Sequence, residues 1–297
     1  MKHAVVGAGG IGGLIAALLV RCGEQVTIIV REQSRAAQPA EIALDRPAEK
    51  IVSPVAVATK LDAAVDVLWI TVKATQLAVA LESVSANPSL VQSVVPLLNG
   101  IDHVAFLRGT FGERVVPATI AVEAERLAPG HVVQRSPFVR MAVSERGRSQ
   151  LDDVSARLRS LGVEWQFIAD EATLLWSKLC FLAPLALTTT AAGMNCGEIM
   201  AHPEWSARLR SAAQEACAVA VAEEAAVDVA KIISLHASLP PGMRSSMQKD
   251  VAAGRAPELD AIAGPILRGA KKHNLSAATC QELNDKIVEK IAAPARR

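Results

Sequence analysis

The stretch Ala4-Val5-Val6-Gly7-Ala8-Gly9-Gly10-Ile11-Gly12-Gly13-Leu14-Ile15-Ala16-Ala17-Leu18-Leu19 decides the fold of this chain. It reads as strand, glycine turn and helix in direct succession, the context in which a G-x-G-x-x-G spacing means dinucleotide binding. Gly7 permits the tight turn, Gly9 lets the main chain approach a pyrophosphate with no Cβ in the way, and Gly12 lets helix and strand pack closely. Backbone N–H groups at the helix start, together with the helix dipole, favour an anion there. A second apolar run, Val26-Thr27-Ile28-Ile29-Val30, completes a β-α-β unit of about thirty residues.

Arg31 follows that second run. An acidic residue at this strand end serves the ribose 2′-hydroxyl of NAD, whereas an arginine accommodates the 2′-phosphate of NADP. The planar guanidinium suits phosphate because it forms paired, charge-assisted hydrogen bonds. The expected cofactor is therefore NADP(H), with Glu32 as the residue that would serve NAD(H) if the strand ends one position later.

The 297 residues are 51% hydrophobic and 21% charged, a globular composition long enough for two domains. Aromatic residues make up only 3%, and tyrosine is absent, so the core is aliphatic and no tyrosine acid is available. That excludes a short-chain dehydrogenase mechanism. A net charge of +1 offers no electrostatic case for nucleic acid or an anionic membrane. Cys22, Cys180, Cys196, Cys217 and Cys280 are scattered and never form a CxxC pair, in keeping with a reducing cytoplasm and no zinc or disulfide framework. The six histidines are isolated, and no metal site is expected. The glycine-interrupted N-terminal run matches neither a signal peptide nor a membrane span.

Apolar runs at 51–58, 65–72, 91–98, 115–122, 132–134 and 138–143 read as strands, several buried on both faces because polar alternation is missing. A helix is expected over 152–161 and a closing strand over 164–168. From Asp170, an expected N-cap with Glu171 in the first turn, the pattern is helical, with long segments at 204–237 and 259–273. Pro240-Pro241-Gly242 breaks the series, and Ala256-Pro257 places a proline at the favoured first position of a new helix. The expected class is α/β: a doubly wound, mostly parallel Rossmann domain over 1–168, then an all-helical domain over 169–297. A cleft between them is the expected seat of catalysis. The helix over 204–237 packs either in its own domain or across a homodimer seam.

Four segments place polar groups in apolar surroundings. In Trp69-Ile70-Thr71-Val72-Lys73 a lysine closes a buried strand, either as a ligand of the kind such strand ends carry or as a lysine emerging into water. Asn99-Gly100 ends another strand and reads as a ligand site or as a turn. Lys178 in Trp176-Ser177-Lys178 sits among Leu174, Leu175, Leu179 and Phe181, poised for chemistry or snorkelling along apolar surface. Arg244-Ser245-Ser246-Met247 precedes Glu258. The serines serve a ligand or cap a helix, and Glu258 either acts chemically or favours a helix dipole.

In this order the glycine loop, Arg31, Thr71-x-Lys73, Gln76, Asn99-Gly100, Trp176-x-Lys178, Ser245-Ser246-Met247 and Glu258 resemble the ketopantoate reductase family over essentially the whole chain. The resemblance implies a Rossmann domain with a helical domain of the 6-phosphogluconate dehydrogenase C-terminal type. It implies NADPH-dependent reduction of a 2-oxo acid, ketopantoate in the pantothenate pathway. It makes Lys178 the general acid and Glu258 its partner. Asn99, Ser246 and Lys73 become substrate ligands, and the loop Gly7-Ala8-Gly9-Gly10-Ile11-Gly12, with Arg31, Lys73, Gln76 and Asn99, becomes the cofactor site. The chain departs from the family where asparagines are expected: Leu182 and Ala186 follow Lys178 by four and eight residues, and Met243 precedes Ser246 by three. Up to three hydrogen bonds at roughly 0.5–1.5 kcal/mol each are then missing for the substrate hydroxyl. Two readings stay open, other groups binding that hydroxyl or a 2-oxo acid with an apolar tail. A catalytically silent NADPH sensor is the alternative of another class, and the pairing of Lys178 with Glu258 speaks against it. A 3-hydroxyacid-type dehydrogenase would carry asparagine at the position of Leu182.

Overall fold

The computed structural model describes residues 1–47 and 49–292. In chain order the elements are β1 (Lys2–Val6), α1 (Gly10–Arg21), β2 (Gln25–Ile29), α2 (Glu32–Arg35), β3 (Glu41–Asp45), β4 (Lys50–Pro54), β5 (Ala56–Ala58), β6 (Val65–Ile70), α3 (Leu77–Leu81), β7 (Val91–Pro96), α4 (His103–Phe111), β8 (Ala118–Ala121), β9 (Ala124–Ala128), β10 (His131–Gln134), β11 (Val139–Ser144), α5 (Arg148–Ser160) and β12 (Val163–Ile168). There follow α6 (Glu171–Ala192), α7 (Cys196–Ala201), α8 (Pro203–Ala222), α9 (Val229–Ala237), α10 (Ser246–Ala252), α11 (Leu259–His273) and α12 (Ala278–Ala292). Two compact units emerge: Met1–Leu98 with Asp102–Leu174, and Asn99–Ile101 with Leu175 onward.

The first unit is built on a five-stranded sheet in the order β5-β2-β1-β6-β7. Every pairing in it is parallel. The chain leaves β1 toward β2 and returns on the other side at β6, so the carboxyl ends of β1 and β6 form the topological switch point where such sheets take ligands. Two smaller sheets, β4-β3-β10-β9 and β12-β11-β8, complete the unit. Helix α1 lies against both the parallel sheet and the four-stranded sheet. That double contact is why Gly12 through Leu19 are all buried and the helix is apolar on every side.

Several expectations change here. The run at 51–58 is not one strand: Pro54 ends β4, and β5 begins two residues later in a different sheet. Nor is it buried on both faces, since β4 buries Ile51 and Ser53 while exposing Lys50, Val52 and Pro54. The strand read over 65–72 stops at Ile70. β3 and β9 are additional strands, and the exposed, charged β9 carries no apolar pattern to announce it.

The Asp170 cap is present, with its carboxylate accepting from the N–H groups of Ala172 (3.2 Å) and Thr173 (2.9 Å). The Thr173 hydroxyl, which also donates to this carboxylate, and then the backbone bonds hold the Asp170 carboxyl below its ordinary range. Glu171 does more than favour a dipole: it accepts from Arg108 Nη2 at 2.6 Å and from Ser144 Oγ at 2.8 Å.

In the helical unit, α8, α11 and α12 pack against one another. A Cβ on Gly269 would overlap Val219, so glycine sets the close approach of α11 to α8. The single helix expected over 204–237 is two helices, broken after Ala222. Glu224 adopts a left-handed φ of 64°, and Asp228 restarts the chain by accepting from the N–H groups of Ala230 and Lys231. Pro257 is not at a first helical position, because α11 begins at Leu259 with Glu258 as its N-cap. Among the described residues α6 alone is long and apolar enough to cross a membrane; 61% of its apolar window is buried inside the protein, as in a core helix.

Candidate active site

The phosphate-binding end of the first unit is assembled from the glycine turn. Gly7 has φ +100°, a conformation that L side chains rarely adopt. A Cβ on Gly12 would overlap the Gly7 carbonyl oxygen and crowd Thr71 Oγ1. Thr71 locks this corner, its hydroxyl lying 2.8 Å from the Val6 carbonyl oxygen and 2.9 Å from that of Gly7. It is a residue that sequence reading passed over in favour of Lys73, and a hydroxyl directly after a strand beside the switch point was its signal. Gly10 faces the Ala124 carbonyl at the start of β9, and Gly13 faces Val132. Gly9 differs from these neighbours. Its backbone is extended (φ −82°, ψ −167°), and a Cβ there would meet nothing within 4 Å. Neither conformation nor internal packing requires glycine at this position, so the open space above it fits a ligand's approach. Helix α1 starts at that point with no side-chain cap and no acidic residue in its first turn. The donor set therefore suits a pyrophosphate.

Arg31 is exposed just past β2 and is the N-cap residue of α2. Lys73 does not close a strand. It is half-buried and begins the short 3₁₀ turn Ala74–Gln76, on which Gln76 is exposed.

The chemistry-bearing residues of the second unit gather around the start of α11. Lys178 lies two turns into α6 and is part-buried. Burial pulls its ammonium down from the ordinary lysine range to about 8, while the negative charge of Glu258 opposes that fall. The Glu258 carboxylate makes no capping bond to its own helix and instead accepts from Asn99 Nδ2 at 3.0 Å. Asn99 follows the buried pair Leu97-Leu98 but groups with the helical unit. Lys178, Glu258 and Asn99 are thus linked within one unit, although far apart in sequence.

Of the two serines, Ser245 is the buried cap of α10, accepting from Gln248 N at 3.1 Å. It is also tied to Thr189 Oγ1 at 2.9 Å. Ser246 is the exposed first residue of that helix. Leu182 is part-buried and Ala186 fully buried on α6, with Met243 part-buried before α10. Among the described residues no group of three His, Cys, Asp or Glu side chains is placed to hold a metal ion.

The first unit thus carries an anion-accepting glycine turn, and the second a lysine of lowered pKa with a carboxylate partner. Residues 3–146 match the model for ketopantoate reductase PanE/ApbA, and residues 172–290 match the model for its C-terminal domain. The 2-dehydropantoate 2-reductase of Caulobacter vibrioides is 32% identical over 92% of this chain and 93% of its own length. The chain belongs to the ketopantoate reductase family. As a member of that family it is an oxidoreductase with a Rossmann-like N-terminal sheet domain. A PanE/ApbA family ketopantoate reductase from Ralstonia eutropha JMP134 has the same fold, with a TM-score of 0.86 and 24% identity over 98% of each chain. The ternary structure of D-mandelate dehydrogenase with NADH and anilino(oxo)acetate superposes equally well, at 0.86 and 21% identity over 98% of each chain.

Proposed function

We propose that this ketopantoate reductase family member reduces a 2-oxo acid to the 2-hydroxy acid with NADPH. The observation that carries the reading is the polar group at the start of α11, where Glu258, bonded by Asn99, acts through its charge on Lys178 in the apolar helix α6. Bound NADPH supplies the hydride that adds to the C2 carbonyl carbon. Lys178 Nζ then does two things: its positive charge stabilises the oxyanion as it develops, and its proton passes to that oxygen. A lysine held at about 8 suits this work, because it stays mostly charged near neutrality yet releases a proton more readily than an exposed one. Glu258 keeps the pKa from falling further. In this reading Gly7 through Gly12 hold the pyrophosphate, Arg31 the 2′-phosphate, and Lys73, Gln76 and Asn99 flank the rest of the cofactor. Ser246, Asn99 and Lys73 meet the substrate.

The favoured substrate is a branched 2-oxo acid with an apolar tail, because Leu182, Ala186 and Met243 supply no hydrogen bonds where the family's asparagines do. D-mandelate dehydrogenase, on the same fold, is named for a hydroxy acid whose tail is an apolar ring. The test is NADPH oxidation against a panel containing ketopantoate and 2-oxoisovalerate, with Lys178→Ala as control. The expected result is turnover of 2-oxoisovalerate at least matching ketopantoate. A kcat/KM for ketopantoate higher by several orders of magnitude contradicts the apolar-tail reading, and NADPH binding without turnover of any 2-oxo acid contradicts the enzymatic one.

A further inference from the structure

We infer that Asn99 is a positioning residue for Glu258, its carboxamide holding the carboxylate in the orientation that faces Lys178. The inference rests on the reading of Lys178 and Glu258 as acid and partner. Three observations carry it. First, the 3.0 Å bond runs from Asn99 Nδ2 to Glu258 Oε2. An ionised carboxylate only accepts, so this contact fixes which way the carboxamide is turned: a nitrogen faces Glu258, and Oδ1 is directed elsewhere as an acceptor.

Second, Glu258 occupies an N-cap position, where a short acidic side chain would turn back onto the first N–H groups of the helix. It forms no such bond, while the caps Asp228 and Ser245 of the same unit do. Glutamate is longer than those two caps, and its carboxylate reaches the Asn99 amide instead of its own helix start.

Third, the loop that carries Asn99 is built to stay put. Gly100 has φ +83°, and a Cβ on it would overlap the Ala261 carbonyl oxygen in the first turn of α11. No other residue type allows the loop to lie so close to that turn. The segment Asn99–Ile101 accordingly groups with the helical unit although its chain neighbours, Leu98 and Asp102, belong to the other.

With the Asn99 donor removed, Glu258 can swing toward the N–H groups of α11, and its charge then supports the Lys178 ammonium less. The experiment is a pH titration of Lys178 by NMR in protein labelled at the lysine ε-carbon. It compares wild type, Asn99→Ala, the space-filling Asn99→Leu, Glu258→Gln and the double variant Asn99→Ala/Glu258→Gln. Thermal unfolding identifies any variant that fails to fold, and the two Asn99 variants back each other up. The expected result is a downward movement from about 8 in both Asn99 variants, in the same direction as Glu258→Gln, with the double variant matching Glu258→Gln alone. Asn99 variants that titrate like wild type overturn the inference. So does a Glu258→Gln variant that leaves Lys178 unmoved. The titration needs neither cofactor nor substrate, so it stands apart from the functional reading, which undiminished turnover by Lys178→Ala would strike instead.

Discussion

Lys178 sets the pH behaviour of the proposed reaction. Its protonated form is the acid, so kcat is expected to hold on the acidic side and fall as pH rises through about 8. Glu258→Gln removes the charge that supports the ammonium, and the alkaline limb should move to lower pH; a pH–rate profile that does not move contradicts the pairing. Gly9 and Gly12 give a second contrast at this scale. Gly9→Ala adds a Cβ that meets no protein atom, so thermal stability should hold while NADPH affinity drops by at least about tenfold, or ~1.4 kcal/mol. Gly12→Ala drives a Cβ into the Gly7 carbonyl and should lower thermal stability as well. Calorimetry with and without NADPH reads both. Equal NADPH affinity in Gly9→Ala and wild type would refute the ligand role of that position.

At the scale of elements, what was legible followed from local chemistry. The β1–turn–α1 unit could be read because three adjacent signals agree: apolar run, glycine spacing and apolar helix. The end of α11 at His273 could be read as well, and Asn274 closes it in the left-handed conformation. The break in 204–237 was harder to read, because Glu223-Glu224-Ala225 carries neither glycine nor proline and the local signal is the single cap residue Asp228. Long-range caps are equally silent in sequence. Glu215 on α8 accepts from the N–H groups of both Thr279 and Cys280, 2.8 Å each, at the start of α12. Glu215→Ala should cost roughly 1–3 kcal/mol, since charged hydrogen bonds to two helix-start donors are lost together. Urea unfolding checks this, and an unchanged midpoint would show the cap to be idle. The Asn99–Glu258 bond, 159 residues apart in the chain, escaped notice for the same reason. Each residue had been singled out, and nothing in the spacing joined them.

For the whole molecule, the division of labour follows from topology. A parallel sheet with its switch point between β1 and β6 suits a dinucleotide, and a helical unit can hold a lysine away from bulk water. Cofactor choice belongs to this scale because it decides which redox pool the enzyme draws on. Arg31→Ala should weaken NADPH binding by about 10- to 100-fold, the loss expected for charge-assisted bonds of roughly 1.5–3 kcal/mol, and leave NADH binding nearly unchanged. Fluorescence titration with both nucleotides tests this, and a wild-type preference for NADH would refute the assignment.

The central claim is that an ammonium group on α6 protonates the oxygen of a 2-oxo acid as hydride reaches its carbon. Single-turnover oxidation of NADPH, bound to excess enzyme and mixed with saturating 2-oxoisovalerate or ketopantoate, tests it most directly. Lys178→Ala should bind NADPH as wild type does and oxidise it about 10²–10⁴-fold more slowly. A Lys178→Ala rate equal to that of wild type with either acid would contradict the account.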